Sequence, residues 1–242
     1  MSRPTKKIAI YTDEGTNKEG ITCLAAKLQN YRPLFINADD ISSELLSSLS
    51  LLIIPGGRDI PYHQKLAGAK NQNIIQFVRG GGSYLGICAG AYFASSEFEF
   101  DKGADLEIIA KRELSFFPGK AIGPAFGPNT FQYNNRKGAK AALIQTPLLS
   151  SPIYSFYNGG CYFENAHEDP EIDLLGSYSE IEGSPPAIIS RQIGSGLAIL
   201  SGVHLEYSAR DLPKGPLATK LKSTDTERET FFQQLIQKLL SQ

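Results

Sequence analysis

The sequence of 242 residues contains no tryptophan, one methionine, three cysteines and three histidines. Its apolar runs are short, as in Leu51–Ile54, whereas a membrane-spanning helix needs about 20 apolar residues. We therefore expect no membrane association. The basic N-terminus leads into a short apolar stretch, Ile8-Ala9-Ile10, so a cleaved secretory signal peptide is not predicted.

The three cysteines, Cys23, Cys88 and Cys161, are odd in number and form no C-x-x-C pair. This pattern is typical of a reducing compartment, so we expect a cytoplasmic protein in which one thiol is reactive. No His, Cys and carboxylate cluster has metal-ligand spacing, and neither a metal nor another cofactor is predicted. The net charge of −1 indicates no basic surface for nucleic acid.

Strand and helix patterns alternate over the first 100 residues. Strands are predicted at 7–11, 34–36, 51–54 and 83–87, and helices at 20–30, 41–49, around 74–78, and from Cys88 through Ser96. This alternation predicts an α/β fold with a mostly parallel central sheet and helices on both faces. Residues 101–185 are rich in turn residues, which predicts a hairpin- and loop-rich insertion with strands near 141–144, 153–157 and 174–178.

The last part of the chain predicts a hairpin and a helix. Residues 187–192 and 197–201 flank Gly194-Ser195-Gly196, which favours a hairpin. A helix over about 224–240 begins near Thr224, where Glu227 would complete a capping box. No linker composition interrupts the chain, so 1–242 is predicted to be one domain with its core at about 7–207.

Gly86-Ile87-Cys88-Ala89-Gly90 lies between a predicted strand and a predicted helix. A cysteine flanked by glycines at such a turn is typical of a nucleophile elbow, where a strained backbone presents the side chain and a helix N-terminus favours the thiolate. The alternative is that Cys88 is a small buried apolar residue in a tight turn.

A thiol nucleophile needs a base. His204 follows the predicted strand 197–201, and Glu206 lies on the same side of an extended segment, where it could orient the imidazole. If this strand runs parallel to the one before Cys88, both residues reach the same sheet edge. His167 fits a solvated loop better, and His63 a surface role near the site.

Pro55-Gly56-Gly57-Arg58 ends the third predicted strand at that edge. We expect the backbone N–H groups of Gly57 and Ala89 to form an oxyanion hole, with the alternative that the glycines only form a turn. Apart from one glycine, the remaining candidate pocket residues are polar or aromatic, although aromatic residues most often pack in a core. They are Gly56, Arg58, Tyr92, Arg112, Phe116, Phe117, Tyr157, Asn158 and Tyr162.

In order and spacing, PGG, G-x-C-x-G and H-x-E resemble the class I glutamine amidotransferases. That resemblance implies a flavodoxin-like three-layer sandwich and a triad of Cys88, His204 and Glu206, with Gly57 and Ala89 as oxyanion donors. The segments 88–92, 119–125 and 157–163 resemble one branch, the amidotransferase-like N-terminal domain of biotin–protein ligases, which also occurs as stand-alone bacterial proteins. A ligase domain is not expected in the few residues after 207. A rival branch, the intracellular proteases and chaperones, commonly has a histidine where this sequence has Ala89.

Two positions depart from the amidotransferase pattern. Tyr92 stands where these enzymes usually carry a glutamine that backs the substrate pocket, and Leu205 stands where the last motif usually has proline. Two functions follow as hypotheses. One is a hydrolase or amidotransferase-like enzyme that acts on a small carboxamide or related acyl substrate through a thioester, alone or with a synthetase or ligase partner chain. The alternative is a catalytically silent binding or regulatory module.

Overall fold

The computed structural model describes residues 6–133 and 135–242, so residues 1–5 and 134 of the predicted domain lie outside the described residues. The strands are β1 (Ile8–Tyr11), β2 (Leu34–Ile36), β3 (Leu51–Ile54), β4 (Ser83–Ile87), β5 (Ser95–Phe100), β6 (Ile108–Lys111), β7 (Phe117–Gly123), β8 (Lys140–Gln145), β9 (Ile153–Tyr157), β10 (Tyr162–Phe163), β11 (Ile172–Tyr178), β12 (Pro186–Ile193) and β13 (Gly196–Ser201). The helices are α1 (Lys18–Lys27), α2 (Ser43–Ser47), α3 (Asp59–Leu66), α4 (Ala69–Arg79), α5 (Ala89–Phe93), α6 (Pro216–Lys222) and α7 (Asp225–Leu240). None of these helices is long and apolar enough to cross a membrane.

The central sheet has nine strands in the order β2-β1-β3-β4-β13-β12-β11-β8-β9. The pairings from β2 to β13 are parallel, and those from β13 to β9 are antiparallel. The prediction of a mostly parallel sheet is therefore wrong, and the sheet is mixed. The reason is local, because tight turns such as the one between β12 and β13 can join only antiparallel neighbours.

Helices cover both faces of this sheet, as predicted. Successive residues of β1 point to opposite faces, so Ile10 packs in a core with Leu24 of α1 and Phe232 of α7. Tyr11 packs in the opposite core with Tyr62 of α3, and the two rings meet edge to face. The parallel strands are buried on both faces, which explains why they read as continuous apolar runs.

A second sheet of four strands, in the order β10-β7-β5-β6, contributes to the same core as α3, α4 and α5. The predicted helix from Cys88 through Ser96 is too long, because α5 ends at Phe93 and β5 begins at Ser95. The segment Glu97-Phe98-Glu99-Phe100 alternates polar and apolar residues, which favours a strand over a helix.

The C-terminal helix α7 is present, but the predicted capping box is not. Thr224 makes no side-chain capping bond within α7. Its hydroxyl instead accepts a hydrogen bond from the N–H of Tyr154 at 2.9 Å, which attaches the start of the helix to β9.

Arg228 is the main polar anchor of α7. Its guanidinium is 1% exposed and donates to the carbonyl oxygens of Tyr207 (3.0 Å), Tyr154 (2.6 Å) and Leu221 (3.1 Å). It also pairs with Asp225. The bonds join α6, α7, β9 and the segment after His204, so this helix supports the region that carries the predicted base.

We expect Arg228→Met to lower the free energy of unfolding by about 3 kcal/mol or more, because buried carbonyl groups and a carboxylate lose their partner. Urea denaturation would measure the change. Arg210→Met is the matched control, since that side chain is 77% exposed, and its effect should be close to zero. Equal losses in the two variants would contradict this account of α7.

Candidate functional site

Cys88 lies between β4 and α5 with φ +50° and ψ −105°, a strained conformation for a residue with a side chain. The flanking glycines permit it. A Cβ atom on Gly86 would overlap the carbonyl of Gly90, and one on Gly90 would overlap the carbonyl of Ile54. The N–H of Cys88 donates to the carbonyl of Ser201 on β13 at 2.7 Å. The sequence G-x-C-x-G therefore forms the sharp strand-to-helix turn that it predicts.

His204 and Glu206 follow β13 and are both buried. Nδ1 of His204 lies 2.7 Å from Oε1 of Glu206. The carboxylate can only accept, so this contact favours the tautomer with the proton on Nδ1 and leaves Nε2 as the free ring nitrogen. The backbone of His204 is held by β9, because its N–H donates to Phe156 O at 2.8 Å and its carbonyl accepts from Ser155 Oγ at 3.0 Å.

The backbone of Gly56 lies directly against the imidazole ring of His204. A Cβ atom at this position would lie 2.5 Å from Cε1 of His204, closer than real carbon atoms approach. The predicted role of Gly56 in the pocket is thus a close backbone approach to the ring. Any larger residue would move the base.

The charge of His204 depends on its neighbours. Burial disfavours the protonated ring, but the Glu206 carboxylate and the contact with Cys88 outweigh it and raise the pKa of His204 to about 10. The imidazole is therefore protonated near neutral pH, beside the thiol.

Two backbone N–H groups are available near the sulfur. Gly57, with φ +152°, and Ala89 have N–H groups without a hydrogen-bond acceptor among the described residues. Both residues line a cavity together with Cys88. The positions suit donors to a developing oxyanion.

Two adjoining cavities share six lining residues: Gly57, Arg58, Cys88, Phe131, Tyr133 and Asn158. The first, which we call the aromatic chamber, has a volume of about 490 Å³. Its aromatic lining consists of Tyr92, Phe98, Phe100, Phe131 and Tyr133. The second, which we call the histidine chamber, has a volume of about 310 Å³ and also contains His204 and Tyr207. Cys88 thus lies where the two cavities meet.

Among the predicted pocket residues, Arg58, Tyr92 and Asn158 line the aromatic chamber. The Tyr92 hydroxyl donates to Gly159 O at 3.0 Å. The main-chain carbonyl of Asn158 lies 3.9 Å from the Cys88 sulfur, and its side-chain oxygen is buried without a partner among the described residues.

The other predicted pocket residues lie elsewhere. Arg112 is buried in an ion pair with Asp59 and stacks over Phe98, so it supports the chamber wall from behind. Tyr162 lines a different cavity. Three aromatic residues are buried in the cores, because aromatic burial stabilises the fold: Phe116, Phe117 and Tyr157.

Sequence reasoning missed most of the aromatic chamber. Phe98 and Phe100 belong to β5, whose alternating pattern was the available signal, and Phe131 and Tyr133 lie in a turn-rich segment without periodicity. His63 on α3 lines neither chamber, and His167 is exposed beside Glu168. Within residues 6–133 and 135–242, no group of three or more His, Cys, Asp or Glu residues is placed to hold a metal ion.

The fold is that of amidotransferase-like α/β proteins. A solved structure described as a glutamine amidotransferase superposes on 92% of this chain and 98% of its own with a TM-score of 0.60, at 16% identity. Residues 6–241 match the family model "Biotin-protein ligase, N terminal", and the chain belongs to this family.

Two curated proteins are similar to this chain in sequence. An uncharacterized protein of Chlamydia muridarum is 46% identical over 157 residues, which cover 65% of this chain and 60% of that protein. The biotin–protein ligase of Schizosaccharomyces pombe is 34% identical over 220 residues, which cover 85% of this chain. This chain spans 34% of the length of that ligase.

We expect alkylation by iodoacetamide near pH 7 to select Cys88 over the other two cysteines by at least about tenfold. Burial raises the pKa of Cys23 to about 12 and that of Cys161 well above its usual range. Peptide mass spectrometry would give the rate at each thiol. His204→Ala should remove the advantage of Cys88, whereas His167→Ala should preserve it. Equal rates at the three thiols in the folded wild type would contradict the arrangement.

The raised pKa of His204 also predicts a pH-dependent stability. Protonation of His204 stabilises the folded chain fully below the unfolded pKa of about 6.5, and the contribution is lost as the pH rises through about 10. Glu206→Gln removes the charge that raises this pKa. The stability difference between wild type and this variant should therefore shrink as the pH rises from about 6.5 towards 10 in urea titrations.

Glu168→Gln is the matched control for this experiment. Glu168 lies 3.9 Å from His167, and both side chains are exposed. Solvent screens such a pair, so its pH-dependent contribution should be close to zero. A pH-independent difference between wild type and Glu206→Gln would count against the coupling of His204 to Glu206.

Proposed function

We propose that this protein is a cysteine-nucleophile hydrolase or amidotransferase-like enzyme that acts on a small carboxamide or related acyl substrate. One observation carries the proposal. Cys88, in a strained turn, lines one cavity with His204, and Glu206 contacts Nδ1 of that histidine at 2.7 Å. Nucleophile, base and orienting acid are the three parts that acyl transfer through a thiol requires.

The proposed reaction begins with attack of the Cys88 thiolate on the carbonyl carbon of the amide. The N–H groups of Gly57 and Ala89 stabilise the negative oxygen of the tetrahedral intermediate. The C–N bond then breaks, and the His204 imidazolium donates its proton to the departing amine, which leaves a thioester on Cys88. Glu206 stabilises the charged imidazole before this transfer.

Water completes the cycle. Neutral His204 removes a proton from the water molecule as its oxygen attacks the thioester carbon. The C–S bond breaks, the carboxylate leaves, and the thiolate–imidazolium pair is restored. For a primary amide, the balanced reaction consumes one water and yields a carboxylate and an ammonium ion.

We further propose that the protein is cytoplasmic and that its substrate is a small molecule. The relationship to the N-terminal part of a biotin–protein ligase supports a further proposal, that a synthetase or ligase chain is the partner that uses the released ammonia. No biotin-dependent step is part of the proposed reaction.

A second candidate is a binding or regulatory module without catalysis. Tyr92 favours it, because its ring fills the position where the related enzymes carry a glutamine, and its hydroxyl is engaged by Gly159 O at 3.0 Å. In this case the cavity would hold a metabolite, and substitution of Cys88 by alanine would leave binding unchanged.

Ammonia release from a panel of primary amides, including glutamine, tests the proposal together with mass spectrometry of an acylated Cys88. Cys88→Ala and His204→Ala should each lower turnover by about a hundredfold or more, and Cys23→Ala should have no effect. Absence of both ammonia and acyl-enzyme across the panel would reject the enzyme and leave the binding module.

A further inference from the structure

The two chambers beside Cys88 differ in what they can accept. They share Cys88, the residues Gly57, Arg58 and Asn158, and the rings of Phe131 and Tyr133, so a substrate whose carbonyl carbon reaches the sulfur can extend into both. His204 lines the histidine chamber, and Ala89 lines the aromatic chamber. The acyl group and the leaving group of the substrate can therefore be assigned to the two adjoining chambers.

The proton transfer from His204 determines which chamber holds the leaving group and which holds the acyl group. The departing nitrogen must lie within hydrogen-bond reach of the imidazole that protonates it. The leaving group therefore occupies the histidine chamber. The rest of the acyl group then extends into the aromatic chamber, on the side of the Ala89 N–H.

The aromatic chamber is lined by a continuous series of rings. Centroid distances are 5.4 Å between Phe98 and Tyr92, 5.8 Å between Tyr92 and Phe100, 5.5 Å between Phe100 and Phe131, and 5.0 Å between Phe131 and Tyr133. Each pair meets edge to face. A wall of this kind favours an aromatic or branched apolar group, because burial of apolar surface and ring contacts both stabilise it.

The charged groups of the chamber do not provide a buried site for a charged amino-acid head group. Asp59 is buried but already paired with Arg112. The other charged residues of the lining are all exposed: Glu14, Arg58, Asp105 and Glu107. The Arg58 guanidinium lies 5.8 Å from the centroid of Tyr133. The apolar wall lies deeper than these charges, since Tyr92 and Phe98 are only 4% and 1% exposed.

Asn158 adds a preference for an amide. Its side-chain oxygen is buried and has no hydrogen-bond partner in the described part of the chain, and the residue lines both chambers. An N–H of a carboxamide can donate to this oxygen, whereas the bridging oxygen of an ester cannot.

We infer that the aromatic chamber selects primary carboxamides whose acyl group carries an aromatic or bulky apolar substituent, in preference to glutamine. This inference rests on the proposed function for its catalytic part. The volume of about 490 Å³ lies in the range of small-molecule pockets, about 300–1,000 Å³, and it accommodates a ring beyond the reacting carbonyl.

The first experiment compares ammonia release from phenylacetamide, acetamide and glutamine. We expect kcat/KM for phenylacetamide to exceed that for either other amide by about tenfold or more. Phe100→Ala, at a residue that lines the aromatic chamber and not the histidine chamber, should lower the ratio of kcat/KM for phenylacetamide to that for acetamide by about tenfold. Phe35→Ala is the matched control, because this phenylalanine is 55% exposed on β2 and lines neither chamber. Higher kcat/KM for glutamine or acetamide, or equal effects of the two variants, would overturn the inference.

A binding measurement separates the pocket from the chemistry. Ligand-observed NMR with the Cys88→Ala protein should show binding of phenylacetamide. The double variant Cys88→Ala, Phe100→Ala should bind it more weakly. Binding with this dependence, but without ammonia release by the wild type, would reject the enzyme and retain the aromatic pocket. Absence of both binding and turnover of phenylacetamide would overturn the inference, including where acetamide or glutamine is hydrolysed and the enzyme itself is supported.

Discussion

The parallel pairing of β4 with β13 is the constraint on which the site depends. Ile87 lies opposite Ser201 in this register, and the N–H of Cys88 continues the ladder by donating to Ser201 O at 2.7 Å. Both strands therefore end at one edge of the sheet. Cys88 leaves it through the elbow and His204 through the segment after β13, so residues far apart in the chain line the same cavity.

The neighbouring β3 completes this edge. It pairs with β4 in parallel, and the chain after it passes so close to His204 that only glycine fits at position 56. The same turn brings Gly57 beside Cys88. Three adjacent strand ends thus provide the thiol, the base and the candidate oxyanion donors, which is the usual location of ligand sites in open α/β sheets.

The contacts with Glu206 and Cys88 outweigh the effect of burial on the charge of His204. The Glu206 carboxylate is 1% exposed, and its second oxygen, Oε2, has no hydrogen-bond partner among the described residues. The imidazole of His204 is then the side-chain partner of the buried Glu206 carboxylate. Because Glu206 raises the pKa of His204, this imidazole stays protonated where an isolated buried histidine would be neutral.

The sequence by itself determined the local parts: the apolar parallel strands, the G-x-C-x-G elbow, the H-x-E pair, and the hairpin of β12 and β13. Each depends on short-range spacing, such as glycines at a strained turn or alternation along a strand. The role of Thr224, whose hydroxyl accepts from the N–H of Tyr154, depended on a partner distant in sequence. The tertiary structure alone decided that Phe98, Phe100, Phe131 and Tyr133 line a chamber while Phe117 and Tyr157 fill cores, because aromatic residues carry no sequence signal that distinguishes a cavity wall from a packed interior.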